Sequence, residues 1–86
     1  MELRARIDEL DNEVLELLEE RLSLATDVAD SKIEAGIELI QKNREDQLIV
    51  SRQNHTSLNP EFVEELFRLI IKESTRIQME HIGNDD

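Results

Sequence analysis

Two cations interrupt a pattern that ought to be apolar. From Leu3 onward, apolar residues recur at Leu3, Ile7, Leu10, Val14, Leu17, Leu24 and Val28 in steps of four and three, as in a helical seam packed against other helices. The same step from Leu17 lands on Arg21, and Lys32 stands eleven residues further on. At 100° per residue that separation is three turns plus about 20°, so both side chains leave the helix on one inward face. A buried charge costs several kcal/mol unless it is paired or serves an anion. Near the far end of the chain a second stripe, Val63, Phe67, Ile70 and Ile71, continues on the same face with Ser74 and Gln78, which are neighbours at i and i+4. Between the two stripes, Arg44 and Glu45 fall in the first turn of a helix, where backbone N–H groups favour negative charge. The set is cationic and hydrogen-bonding, without a good nucleophile, and its chemistry is the binding of a small, multiply charged anion.

Each of these residues also has a plainer reading. Arg21 could snorkel toward an interfacial Glu, Lys32 could be a surface residue near a helix end, and Ser74 and Gln78 could be a fading last turn. The coincidence of all of them is harder to dismiss. His55 and His81 lie in separate segments without companion ligand spacing, so no metal site is expected, and no hydrolase triad motif is present. The run Glu13, Glu16, Glu19 and Glu20 reads as a solvated face.

The elements that must position these groups are all helical. Nothing breaks the first pattern before Gly36, so one long helix is expected over about 2–34, roughly 50 Å at 1.5 Å per residue. A globule of this length has a radius of gyration near 12 Å by the usual scaling, so such a rod calls for a second chain. Gly36 is a natural C-terminal stop. A second helix is expected over about 43–52, capped by Asn43 with Asp46 helping its first turn, and a third over about 59–82, started by Asn59-Pro60-Glu61. Residues 84–86 read as a frayed tail. The fold class is therefore all-α, three helices per chain with a long first helix, in one domain spanning 1–86.

Composition narrows the partners. The chain has 86 residues, no cysteine, two aromatic residues and a net charge of −11, which excludes disulfide staples and opposes binding to nucleic acid or to anionic membranes. No basic segment leads into an apolar stretch, and no apolar run exceeds three residues, the length of Leu69-Ile70-Ile71, which is far too short for a span. A cytoplasmic location is expected. A domain this small buries only about 60% of its unfolded surface, which again favours oligomerisation.

Taken in order, Leu3-Arg4, Ile7-Asp8, Leu17-Leu18-Glu19-Glu20-Arg21, Val28, Lys32, Gly36, Arg44-Glu45, Leu66-Phe67, Ile70-Ile71, Ser74 and Gln78 resemble the all-helical chorismate mutases over about residues 3–78. The resemblance implies an intertwined helical homodimer with two shared active sites that convert chorismate to prephenate without any cofactor. It further implies that Arg21 and Arg44 bind the substrate carboxylates, with Arg4 reaching over from the partner chain. Lys32 and Gln78 would donate to the ether oxygen of the breaking bond, Glu45 would hold the ring hydroxyl and Ser74 would assist a carboxylate. The family often carries an Asp three residues before its Arg-Glu pair, where this chain has Gln41, so one polar contact at the hydroxyl end differs. Two other readings share the fold: an enzyme similar to the isochorismate-pyruvate lyases, and a catalytically silent regulatory or interaction module.

Overall fold

Every element of the computed structural model is an α-helix, and the structure describes residues 2–83. The order is α1 (Leu3–Ser23), α2 (Ala25–Glu34), α3 (Lys42–Asn54) and α4 (Pro60–Gly83). The expected tail at 84–86 lies outside the described residues.

The long first helix is present, with one irregularity that the sequence does not announce. At Leu24 the backbone keeps right-handed helical angles (φ −81°, ψ −9°), but its N–H bonds to the Arg21 carbonyl at 3.2 Å, closing a tighter i→i+3 turn. Such a turn is a local overwinding. Regular bonding resumes at once, with Val28 N–H donating to the Leu24 carbonyl at 3.0 Å, so α1 and α2 form one rod with a tightened joint. The molecule is accordingly long, 51 × 27 × 15 Å, with a radius of gyration of 15.6 Å, well above the roughly 12 Å of a compact chain of this length.

The rod stops where glycine allows it to. Gly36 sits at φ +71°, its N–H reaches the Ile33 carbonyl at 3.0 Å, and the Ile37 N–H reaches the Lys32 carbonyl at 2.8 Å. This paired 5→2 and 6→1 pattern is the Schellman motif, in which the left-handed residue is usually glycine because it has no Cβ to clash. The start of α3 departs from expectation. Gln41, not Asn43, occupies the cap position without a side-chain bond, and Glu45 rather than Asp46 is the first-turn acid. At α4 the expected start is present: Asn59 Oδ1 accepts from the Glu61 N–H at 2.9 Å, and Pro60 opens the helix.

The core is small and lies between α2, α3 and α4. It consists of Ala25, Ala29, Ile49 and Val63, with Gln78 as the buried polar residue among those described. Ala25 and Ala29 are one turn apart, and their small side chains let α4 approach α2 closely. Gln53 Nε2 donates to the Pro60 carbonyl at 2.9 Å, and Arg68 bonds Asp46 at 2.9 Å, so α3 and α4 are tied at two levels. By contrast α1 has no buried residue at all. Its seam of Leu3, Ile7, Leu10, Val14 and Leu17 is 41 to 79% exposed in the single chain. The pattern that predicts packing is there, and within one chain nothing packs on it.

Candidate active site

The tightened joint, the glycine stop and the α2–α4 contact converge on one cavity of about 260 Å³. Arg21, Leu24, Ala25, Val28 and Lys32 line it from the rod, Leu39 and Gln41 from the connection, Arg44, Glu45 and Leu48 from α3, and Ile71, Ser74, Thr75 and Gln78 from α4. Of the eight site residues expected from sequence, seven therefore meet in one place: Arg21, Lys32, Gln41, Arg44, Glu45, Ser74 and Gln78. The eighth, Arg4, does not. It lies exposed on α1, about 25 Å along the rod from Arg21 at 1.5 Å per residue.

The electrostatics are those of an anion site. Three cations face one carboxylate in the cavity, in a chain whose overall charge is −11. Burial pushes the Arg21 guanidinium below its ordinary value, and the neighbouring Arg52 cation adds to that shift. A partly desolvated cation facing another cation is stabilised by an anion between or beside them. Lys32 is oriented by the connection, its Nζ donating to the Leu39 carbonyl at 2.8 Å. Gln78 is 5% exposed; its Nε2 donates to Ser74 Oγ at 3.3 Å, and its Oε1, also buried, has no partner.

Several contributors escape a reading of the sequence. Thr75 stands one turn beyond Ile71, so the α4 periodicity could have placed it at the wall. Arg52, seven residues past Glu45 and on the same side of α3, could have been found in the same way. Leu39 carries no sequence signal, because its contribution is a backbone carbonyl in an irregular connection. His81 pairs with Asp30 at 2.9 Å, and among the described residues no group of three or more His, Cys, Asp or Glu is arranged to hold a metal ion. No described helix is long and apolar enough to cross a membrane.

Fold and cavity together define an all-helical protein with one cavity lined by three cations and several hydrogen-bonding side chains. The chain belongs to the chorismate mutase type II family, whose match spans residues 3–79. It is 32% identical over 85 residues to the chorismate mutase of Methanocaldococcus jannaschii, covering 94% of this chain and 85% of that one. It is also 31% identical over 75 residues to the T-protein of Enterobacter agglomerans, covering 84% of this chain but 20% of that much longer protein. No solved structure matches.

Proposed function

We propose that this protein converts chorismate to prephenate by a Claisen rearrangement, as a homodimer with two shared sites. The observation that carries the reading is the meeting of Arg21, Lys32, Arg44 and the buried Gln78 in a single cavity, where an apolar core would otherwise form. Membership of the family supplies the reaction.

The reaction is unimolecular and asks for shape and charge. Arg21 and Arg44 hold the two carboxylates by forked, charge-assisted hydrogen bonds, so that the enolpyruvyl side chain lies over the ring in a chair-like geometry. Fixing that geometry before the bonds move removes much of the entropic part of the barrier. As the C–O bond lengthens and the new C–C bond forms, negative charge grows on the ether oxygen. Donors at Lys32 and Gln78 stabilise that oxygen more in the transition state than in the ground state. Glu45 accepts from the ring hydroxyl, with Gln41 beside it. The Leu39 bond supports this assignment, because a lysine held in place needs little reorganisation when charge develops.

Arg4 completes the site from the partner chain. About 25 Å of rigid helix separates it from Arg21, so it cannot serve the cavity of its own protomer. The uncovered α1 seam gives the two-fold partner an apolar surface to bury. We place the enzyme in the cytoplasm as one domain. Incubating the purified protein with chorismate, following the loss of its ultraviolet absorbance and identifying the product by NMR, tests the reading. Prephenate is expected; released pyruvate would indicate a lyase, and absence of turnover a silent helical module.

A further inference from the structure

The side of α3 that closes the cavity does not end with Leu48. Glu45 and Leu48 line the wall, and Arg52 follows one turn beyond Leu48 and seven residues after Glu45, within about 20° of Glu45 around the helix axis. Arg52 therefore stands on the cavity side of α3 but outside the wall, exposed to solvent. Its charge reaches inward all the same, since it disfavours the partly buried Arg21 cation in the wall. What Arg52 lacks is a counterion. The chain holds 21 acidic and 10 basic residues, and the surface arginines Arg6, Arg68 and Arg76 each pair with a carboxylate at 3.2 Å or less. Among the described residues Arg52 pairs with none, and its contact is with the Ser51 hydroxyl at 3.5 Å, the outer limit of a hydrogen bond. Two guanidiniums left close to each other in so acidic a chain are an unfavourable arrangement that an anion relieves.

We infer that Arg52 is an outer docking cation, which draws a dianionic substrate to the rim of the cavity before Arg21 and Arg44 take its carboxylates. The net charge of −11 makes such a group useful. At long range the protein repels a dianion, and a local positive field on the approach to the site offsets that repulsion. Because Arg52 lies outside the wall, it acts on arrival and affinity rather than on the breaking bond. The inference rests on the cavity being a dianion site, and it assigns the approach to the side where α3 passes Arg21.

The test compares Arg52→Gln, Arg52→Glu and Arg52→Lys with the parent protein at low and high salt, with Arg76→Gln removing the same charge from the surface of α4. At low salt Arg52→Gln is expected to raise KM for chorismate about 3- to 5-fold and Arg52→Glu about 10-fold or more, with kcat within about two-fold of the parent. Arg52→Lys and Arg76→Gln should stay within about two-fold of the parent on both. The differences should largely vanish in about 0.5 M salt, where the Debye length falls to roughly 4 Å. Calorimetric titration with prephenate, itself a dianion, should rank the variants in the same order by Kd and needs no turnover. Unchanged KM and Kd in Arg52→Gln, a rise that high salt does not reduce, or a fall in kcat alone overturns the docking role. Weakened assembly in light scattering with KM unchanged also overturns it, and gives Arg52 a carboxylate of the partner chain as its counterion. A parent protein that neither turns over chorismate nor binds prephenate removes the dianion site itself, and the docking role with it.

Discussion

Lys32 and Leu39 are joined across the end of the rod, and a backbone bond between Lys32 and the same connection runs beside that contact. The Lys32 ammonium donates to the Leu39 carbonyl at 2.8 Å, and two residues earlier in the same connection the Ile37 N–H closes onto the Lys32 carbonyl. Side chain and backbone of one residue thus bracket the turn at Gly36, and the direction of the ammonium group is set by the conformation of a glycine.

Replacing that glycine should therefore be felt at the site. A Cβ on Gly36 would meet nothing within 4 Å, so Gly36→Ala carries only the penalty of holding a non-glycine residue at φ +71°, about 1 kcal/mol. Urea denaturation should show a loss of that size, accompanied by reduced turnover as the Leu39 carbonyl moves. Unchanged stability would mean that the turn re-forms in another conformation.

Lys32→Ala and Gln78→Ala should each lower kcat about 100-fold or more, by analogy with deletion of an oxyanion donor. Circular dichroism and the sedimentation profile should match those of the parent protein. A variant that keeps a near-normal rate removes that residue from the chemistry.

Light scattering should give twice the 10.0 kDa chain mass. A charge placed in the α1 seam, Ile7→Glu or Val14→Glu, should abolish both assembly and turnover. Both positions are more than half exposed in the protomer, so in a monomeric enzyme these substitutions would be nearly silent.

Arg4→Ala and Arg21→Ala, each inactive alone, should complement when unfolded together and refolded. Random re-pairing of a two-fold dimer leaves roughly a quarter of the sites with both arginines intact. Activity near that fraction supports sharing between chains; none at all would place both arginines in the same protomer's site.

On the surface, hydrogen bonding to Arg76 holds the Glu73 carboxyl below its ordinary value of 4.5. A carboxyl with a depressed folded-state pKa adds stability above its unfolded value, and that stability is lost as pH falls through the lower one. Arg76→Gln should thus lower Tm slightly at neutral pH, with the difference closing in acid. A gap that persists well below pH 4 would place its origin elsewhere.

Much of this was legible in the residues. The four-three steps gave the long rod and Gly36 its end, because helical phase and left-handed backbone are written in residue type and spacing. Arg21 and Lys32 could be placed on one face by arithmetic, and Ser74 with Gln78 by adjacency. The tightened turn at Leu24 was not legible, since no Pro or Gly marks it, and neither was the Gln41 cap, where tertiary contacts override the preference for Asn43. The Leu39 carbonyl and the unsatisfied Gln78 oxygen depend on backbone and amide directions that no pattern of residue types encodes.

From Leu3 to Ser23 the chain has no joint at which an error of register could be absorbed. Adding or removing a single residue there would turn everything upstream by about 100° and shift it by 1.5 Å, swinging the oily stripe toward water. By that geometry the stretch tolerates exchanges that keep its apolar stripe apolar and its arginines in place, but not a change in its number of residues. The loop at 55–59 carries no such phase, and it is there that length variants among relatives should accumulate.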